Sequence, residues 1–243
     1  MMNQKPISLI LLIHQEADVI ERVIEDFYTK VTSKIPGSEF IVCEDGSTDG
    51  TKEILTRMKK NFHLTLHISS VKRGYTRAMK EAFQLAKNPI IFFSDSDGQH
   101  DPNDFWKLLP VLTGADMVIG WKKNRKDSIL RLFLARVFNI IIGVVFGVRM
   151  HDIDCGFRIL RKEVVDFLLL QPWRLTHCVA AELTVKARER GFRIAEVPIT
   201  HFPREFGESR GLPTKKLPRI IFYILLGFVQ IKKDIRRFKR HSV

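Results

Sequence analysis

Short strand-like, largely apolar segments at residues 7–13, 39–43, 64–68, 90–94 and 116–119 alternate with helix-patterned stretches at 17–28, 51–60, 74–86 and 102–112. Runs without polar alternation are strands buried on both faces, and helical crossovers between them imply a parallel sheet covered on both sides. The pattern predicts an α/β fold, a Rossmann-like, mostly parallel sheet with helices on both faces. In such sheets ligands bind at the carboxyl ends of the strands. Three of those ends carry polar groups: His14, Gln15 and Glu16 after the first strand, Asp45 after the second, and Asp95 and Asp97 after the fourth. Turn chemistry alone does not predict this coincidence.

The fourth strand runs Ile90-Ile91-Phe92-Phe93-Ser94 straight into Asp95-Ser96-Asp97-Gly98-Gln99-His100-Asp101-Pro102. Side chains two apart in an extended chain share a face, so Asp95 and Asp97 can converge on one hard cation with Gln99 close behind. Such a cation can hold a diphosphate. The alternative is a strand-to-helix turn in which Asp97-Gly98 supplies turn chemistry and Asp101-Pro102 caps the next helix. The earlier turn, Glu44-Asp45-Gly46-Ser47-Thr48-Asp49-Gly50-Thr51, has glycines that permit positive φ and an Asp49 that can cap a helix beginning near Thr51. It is not an EF-hand, because loop position twelve is Thr56 rather than a bidentate Glu and no helix precedes it.

With 243 residues, 45% of them hydrophobic, the chain can bury a full core. Cys43, Cys155 and Cys178 are widely spaced and suggest neither a disulfide framework nor a zinc site, which fits a reducing compartment. The run at 7–13 has only Lys5 before it and His14-Gln15-Glu16 after it, the wrong flanks for a signal peptide. The net charge of +13 lies wholly in the second half, since residues 1–120 carry −2 and residues 121–243 carry +15. A basic half suits nucleic acid, an anionic membrane or phosphorylated substrates. The basic residues interleave with lipid-like apolar runs and no nucleic-acid motif is present, so nucleic acid is the weakest of the three.

Five ordered segments resemble family 2 glycosyltransferases of the GT-A fold: Gln15-Glu16, Glu44 to Thr51, Asp95 to Pro102, Asp154-Cys155-Gly156-Phe157-Arg158 and Glu196-Val197-Pro198-Ile199. More narrowly, residues 6 to about 210 resemble the polyprenyl-phosphate, dolichyl-phosphate mannosyltransferase-like group. The resemblance implies that His14, Gln15, Glu16, Asp45 and Arg73 line a nucleotide-sugar donor, GDP- or UDP-linked. It implies that Asp95, Asp97 and Gln99 hold Mg²⁺ or Mn²⁺ against the donor diphosphate, and that Asp154 lies at the reaction centre beside Asp97. It also implies a loop at 203–211 that closes over the phosphates, with Arg204 on the donor and Ser209 and Arg210 on the acceptor. Glu44 stands where the family usually has Asp, and Lys72 where Asn commonly precedes Arg73-Gly74, so neither nucleobase nor sugar carries over.

A lipid-phosphate acceptor is already an anion near neutral pH, its second pKa being about 6, and needs cations to position it rather than a base. Arg suits that work because its guanidinium matches phosphate oxygens bidentately. The candidates are Arg125 in the basic loop after the fifth strand, and Arg131 and Arg136 on the apolar stretch at 129–148, where with Asn139 they form one polar arc. A buried core helix with paired arginines is the alternative, and a spanning helix is disfavoured by the cost of each Arg at the bilayer centre, about 2.5–3.5 kcal/mol.

The remaining expectations concern the tail and the activity. Residues 1–212 form the catalytic domain, and residues 213–243 form a tail whose apolar run at 220–231 is shorter than the ~20 residues that span a bilayer. With basic flanks it reads as a helix in the membrane interface, or as one docked on the catalytic domain. The activity expected is inverting hexosyl transfer to a polyprenyl phosphate, dolichyl or undecaprenyl, at the cytoplasmic face of a membrane by a peripheral or monotopic protein. A soluble sugar, protein or diacylglycerol acceptor is the second reading, and a homo-oligomer or a membrane partner subunit is compatible with either.

Overall fold

The computed structural model describes residues 4–123, 125, 129–204 and 217–241. Its core is one seven-stranded sheet with strand order β3-β2-β1-β4-β6-β5-β7. The strands are β1 (Ile7–Ile13), β2 (Glu39–Glu44), β3 (Leu64–Ile68), β4 (Ile90–Asp95), β5 (Met117–Lys122), β6 (Arg158–Arg161) and β7 (Ile194–Ile199). All pairings are parallel except those of β6, which runs antiparallel between β4 and β5. Helices α1 (Ile20–Lys30), α2 (Thr51–Met58) and α3 (Tyr75–Leu85) follow the first three strands, as their alternation predicts.

Two differences from the sequence pattern have local causes. The stretch at 102–112 is not one helix but a 3-10 turn at Pro102–Asp104, a single α turn, α4 (Phe105–Leu108), and a second 3-10 segment at Leu109–Thr113. Pro110 lacks the N–H that a continuous α-helix would use there. Strand β6 escaped the periodicity because it is only Arg158-Ile159-Leu160-Arg161, with charged residues at both ends. Arg158 is nevertheless 1% exposed, its guanidinium donating to the Cys155, Ile153 and Ala180 carbonyls and to Thr184 Oγ1.

The second half adds α5 (Ile129–Phe146), α6 (Lys162–Leu169), α7 (Val179–Arg190) and α8 (Leu217–His241). Ile142 of α5, Ala181 and Val185 of α7, and Phe228 and Ile231 of α8 share a hydrophobic cluster with Val148, Ile153 and Leu175. Helix α5 is therefore no core helix: Ile142 is its one buried residue, while Ile129, Leu130, Phe133, Ile140 and Val144 are exposed. By length and composition alone it is apolar enough to cross a membrane. Helix α8 docks through one stripe that includes Ile220, Phe228 and Ile231, and exposes Ile221, Phe222, Tyr223, Leu225, Leu226 and Val229 on its other side. The docked reading of the tail holds for that stripe, and the other side of the helix is an exposed apolar face.

Candidate active site at the carboxyl ends of the strands

The parallel register sets the ends of β1, β2 and β4 side by side, with Ile13 opposite Glu44 and Leu12 opposite Asp95. The carboxylates that follow therefore open on one mouth. Gln15 adopts a positive φ of 57°, and its backbone N–H donates to Ser47 Oγ at 2.8 Å. Its side-chain amide exchanges hydrogen bonds with Thr48, while Glu16 N–H donates to Thr51 Oγ1 and Ala17 N–H to Asp49 Oδ2. The first loop is thus latched to the second. Asp49 also accepts from Thr51 N–H at the start of α2, and these bonds hold its carboxyl below the ordinary range although burial opposes them.

Asp45, 6% exposed, accepts the backbone N–H groups of Arg73 at 2.6 Å and Gly74 at 2.9 Å, which folds the loop before α3 over the mouth. Gly46 has φ of 68°, and a Cβ there would overlap the Val71–Lys72 backbone, so glycine is required for that approach. The Arg73 guanidinium is turned to Glu81, 3.3 Å away.

Asp95 accepts from the Tyr75 hydroxyl at 3.1 Å, and a Cβ on Gly156 would overlap its carboxylate. Asp97 accepts Gln99 N–H at 3.1 Å and faces Arg204 Nη1 at 3.6 Å. Arg204 also donates to Glu16 at 2.9 Å, bridging the ends of β1 and β4. The Gln99 amide donates to the Phe202 carbonyl, and His100 and His201 make an antiparallel bridge, so the chain after β7 lies along the Asp97 turn. Burial, reinforced by Lys122, pushes the His100 imidazole down to about 3, so it is neutral there.

Among the described residues no group of three or more His, Cys, Asp or Glu could form a protein cage for a metal. Two carboxylates at a strand end still fit a cation such as Mg²⁺ or Mn²⁺, which takes one or two carboxylates and completes its shell with substrate phosphates and water. Gly156→Ala must push Asp95 aside, and overpacking of this kind costs about 1–3 kcal/mol. Because the carboxylate is displaced, divalent-cation affinity in a fluorescence or calorimetric titration is expected to fall. An unchanged affinity would remove Asp95 from the cation site.

On the other side of the mouth, Asp152 pairs with Arg125 at 3.5 Å, and Glu196 accepts the backbone N–H groups of His151 and Asp152. Trp121 stacks on His151 with ring centroids 4.8 Å apart, and Asn139 of α5 donates to the His151 carbonyl. Arg131 is half-buried and Arg136 exposed on α5. Asp154 accepts the Ala181 N–H at the start of α7, and burial raises its carboxyl to about 6 against the pull of Arg158. Ser209 and Arg210 lie outside the described residues.

Of three further participants, Tyr75 and Lys122 carry no signal of their own in the sequence and Gly156 is marked there only as part of the 154–158 segment. Tyr75 and Gly156 reach Asp95 only through tertiary contact. Lys122, at the end of β5, is buried, which opposes its charge, yet its pKa is raised because the carboxylates of Asp152 and Asp95 outweigh that burial. Membership of the basic loop is all that marks it.

The model of the glycosyl transferase family 2 matches residues 8–169. The chain is 30% identical over 211 residues to the dodecaprenyl-phosphate galacturonate synthase of Rhizobium johnstonii, covering 84% of this chain and 61% of that protein. It is 25% identical over 209 residues to the undecaprenyl-phosphate 4-deoxy-4-formamido-L-arabinose transferase of Salmonella choleraesuis, covering 85% of this chain and 62% of the relative. The chain therefore spans about three fifths of the length of these curated relatives. Among solved structures, glucosyl-3-phosphoglycerate synthase from Mycobacterium tuberculosis in complex with UDP superposes with a TM-score of 0.69 at 19% identity, covering 93% of this chain and 80% of that one. Its complex with Mn²⁺, UDP and glucosyl-3-phosphoglycerate gives 0.68 at 19% identity, covering 92% and 80%. The sheet is that of the GT-A fold, and with the family match extending from β1 to the end of α6 the chain belongs to glycosyl transferase family 2.

Proposed function

We propose that the protein is a metal-dependent inverting hexosyltransferase that moves a sugar from a GDP- or UDP-linked donor to a polyprenyl phosphate of the dolichyl or undecaprenyl type. It works at the cytoplasmic face of a membrane, with residues 1–212 as catalytic domain and the segment at 213–243 as a membrane-associating tail. The observation that carries the reading is a carboxylate-lined mouth in a family 2 chain whose α5 and α8 expose apolar side chains to solvent. Exposed apolar surface of this extent marks a binding face, and the α8 face continues into Lys232, Lys233, Arg236 and Arg237, which suit anionic headgroups. Both curated relatives act, by their names, on polyprenyl phosphates.

In this reading Asp45 and the loop it holds at Arg73 and Gly74 shape the nucleoside edge, with His14, Gln15 and Glu16 beside it. Asp95 and Asp97, with Gln99, hold the cation. When bound, Mg²⁺ or Mn²⁺ neutralises the charge that grows on the departing diphosphate. Arg204, which pairs with Glu16 and Asp97, would meet the same phosphates. Arg125, Arg131 and Arg136 position the acceptor phosphate behind the sugar carbon, with Ser209 and Arg210 as further contacts to it. That phosphate needs no general base, so Asp154, anchored on the N-terminus of α7, orients the sugar or the arginines.

Titration with UDP and with GDP tests the donor half: one of them is expected to bind only when a divalent cation is present, and binding of neither would remove the donor chemistry. Arg131→Ala tests the acceptor half. It is expected to raise KM for the lipid phosphate about tenfold or more, as loss of a hydrogen bond to a charged group costs about 1.5–3 kcal/mol. Donor affinity should stay unchanged, and a defect confined to donor binding would reassign Arg131 to the diphosphate.

A further inference from the structure

One segment outside the carboxylate turns connects α8 to the mouth. Residues 172–178, between α6 and α7, are held from below by Glu182, whose carboxylate accepts the backbone N–H groups of Arg174 and Leu175 and the Lys186 ammonium. The Arg174 guanidinium reaches out to Asp234 of α8 in a bidentate pair, Nε to Oδ2 at 2.8 Å and Nη2 to Oδ1 at 2.9 Å. Asp234 is also 4.0 Å from the Lys186 ammonium. Nearly two turns earlier on α8, Gly227 lets Leu175 lie directly on the helix, because a Cβ there would overlap the Leu175 side chain. The two contacts grip adjacent residues of the same segment.

The upper side of that segment meets the start of α3. The Leu175 carbonyl accepts the Thr76 hydroxyl at 3.1 Å. The neighbouring Tyr75 donates to Asp95 at 3.1 Å. A continuous path of hydrogen bonds and close packing therefore runs from Asp234 and Gly227 through Arg174 and Leu175 to Thr76, Tyr75 and the Asp95 carboxylate. Partly exposed ion pairs contribute little to stability. A bidentate pair does fix geometry, because two parallel N–H···O bonds define an orientation as well as a distance.

We propose that Asp234 and Gly227 are positioning residues: through the Arg174 pair and the Leu175 contact, α8 seats the 172–178 segment and thereby holds the start of α3, and with it Tyr75, against Asp95. The functional meaning of this path rests on the reading of Asp95 as a cation ligand. The path itself does not.

The test has two arms on the full chain. In hydrogen exchange by mass spectrometry, Asp234→Ala is expected to speed exchange of the 174–178 and 75–78 amides several-fold while β1 and β2 stay as in the wild type, and Asp234→Glu is expected to restore much of the protection. Local speeding confined to α8, with 75–78 unaffected, overturns the proposal. If Asp234→Ala does not fold, Gly227→Ala, which displaces Leu175 and leaves every charge in place, is expected to give the same pattern, and wild-type exchange at 75–78 in that variant overturns the proposal equally. In the second arm, Asp234→Ala and Thr76→Val are each expected to lower kcat/KM for the sugar nucleotide several-fold with KM for the lipid phosphate unchanged, and to combine non-additively because they act on one path. Additive losses overturn the path. A wild type without transfer activity would sink the proposed function, and the exchange arm would still judge the proposal.

Discussion

Asp97→Asn is expected to lower the rate of sugar transfer on the order of 10²–10³-fold, the usual effect of removing one electrostatic stabiliser of a developing negative charge. The substitution keeps the volume of the side chain and the acceptor for Gln99 N–H, and the Asp97 side chain is 20% exposed, so folding is not at stake. What it removes is the negative charge that faces Arg204 at 3.6 Å and that a divalent cation would use. Thermal unfolding should match the wild type, whereas added Mg²⁺ or Mn²⁺ should no longer stimulate transfer. Activity that survives both Asp97→Asn and chelation by EDTA would separate the acidic turn from the chemistry and leave it as ordinary turn structure.

The second large effect is on stability and lies at Glu182. Its side chain is fully buried and that of Lys186 is 3% exposed, with 2.5 Å between the ion-paired atoms. Glu182→Ala would leave the Lys186 ammonium with the Pro172 carbonyl and a distant Asp234, and would orphan the N–H groups of Arg174 and Leu175. Breaking a buried pair from one side costs about 3–5 kcal/mol. For a chain of this size that is a fall in Tm on the order of 10 °C. Replacing the partner as well, in Glu182→Ala with Lys186→Met, should recover part of the loss, since no buried charge is then left alone. A single variant melting within about 2 °C of the wild type would mean that water reaches the pair and screens it.

The sheet was readable because its central parallel strands are mostly apolar and buried: β1 falls at residues 7–13 and β3, despite Thr65 and His67, at 64–68 as the segments suggest, while β2 and β4 each extend one residue further to include Glu44 and Asp95. Those extensions matter, because they make the first acidic residue of each turn part of the strand and fix its direction. Strand β6 was not readable. Its burial depends on four carbonyl and hydroxyl partners for Arg158, Ile153 and Cys155 in the turn just before it and Ala180 and Thr184 in α7, and no local pattern records the α7 half of that compensation. The same limit applies to the mouth. Asp45, Asp95 and Asp97 were legible because carboxylates after a buried strand are costly and conspicuous, whereas Tyr75 carries no pattern and Gly156 is marked only within the 154–158 segment, and both meet Asp95 through tertiary contact. Helix α8 was half legible: its apolar run and basic flanks mark the exposed face, but the stripe of Gly227, Phe228 and Ile231 that docks it is visible only with Leu175 and α7 in place.

The most direct measurement is the destination of the sugar. The purified protein is incubated with vesicles containing polyprenyl phosphate and a panel of radiolabelled GDP- and UDP-sugars, with and without EDTA, and the lipid is extracted. One donor is expected to deliver label to the organic phase, with EDTA stopping the transfer and added Mg²⁺ or Mn²⁺ restoring it. Label that stays in the aqueous phase with every donor, or that reaches lipid equally well in EDTA, would contradict a cation-dependent transfer to a polyprenyl phosphate.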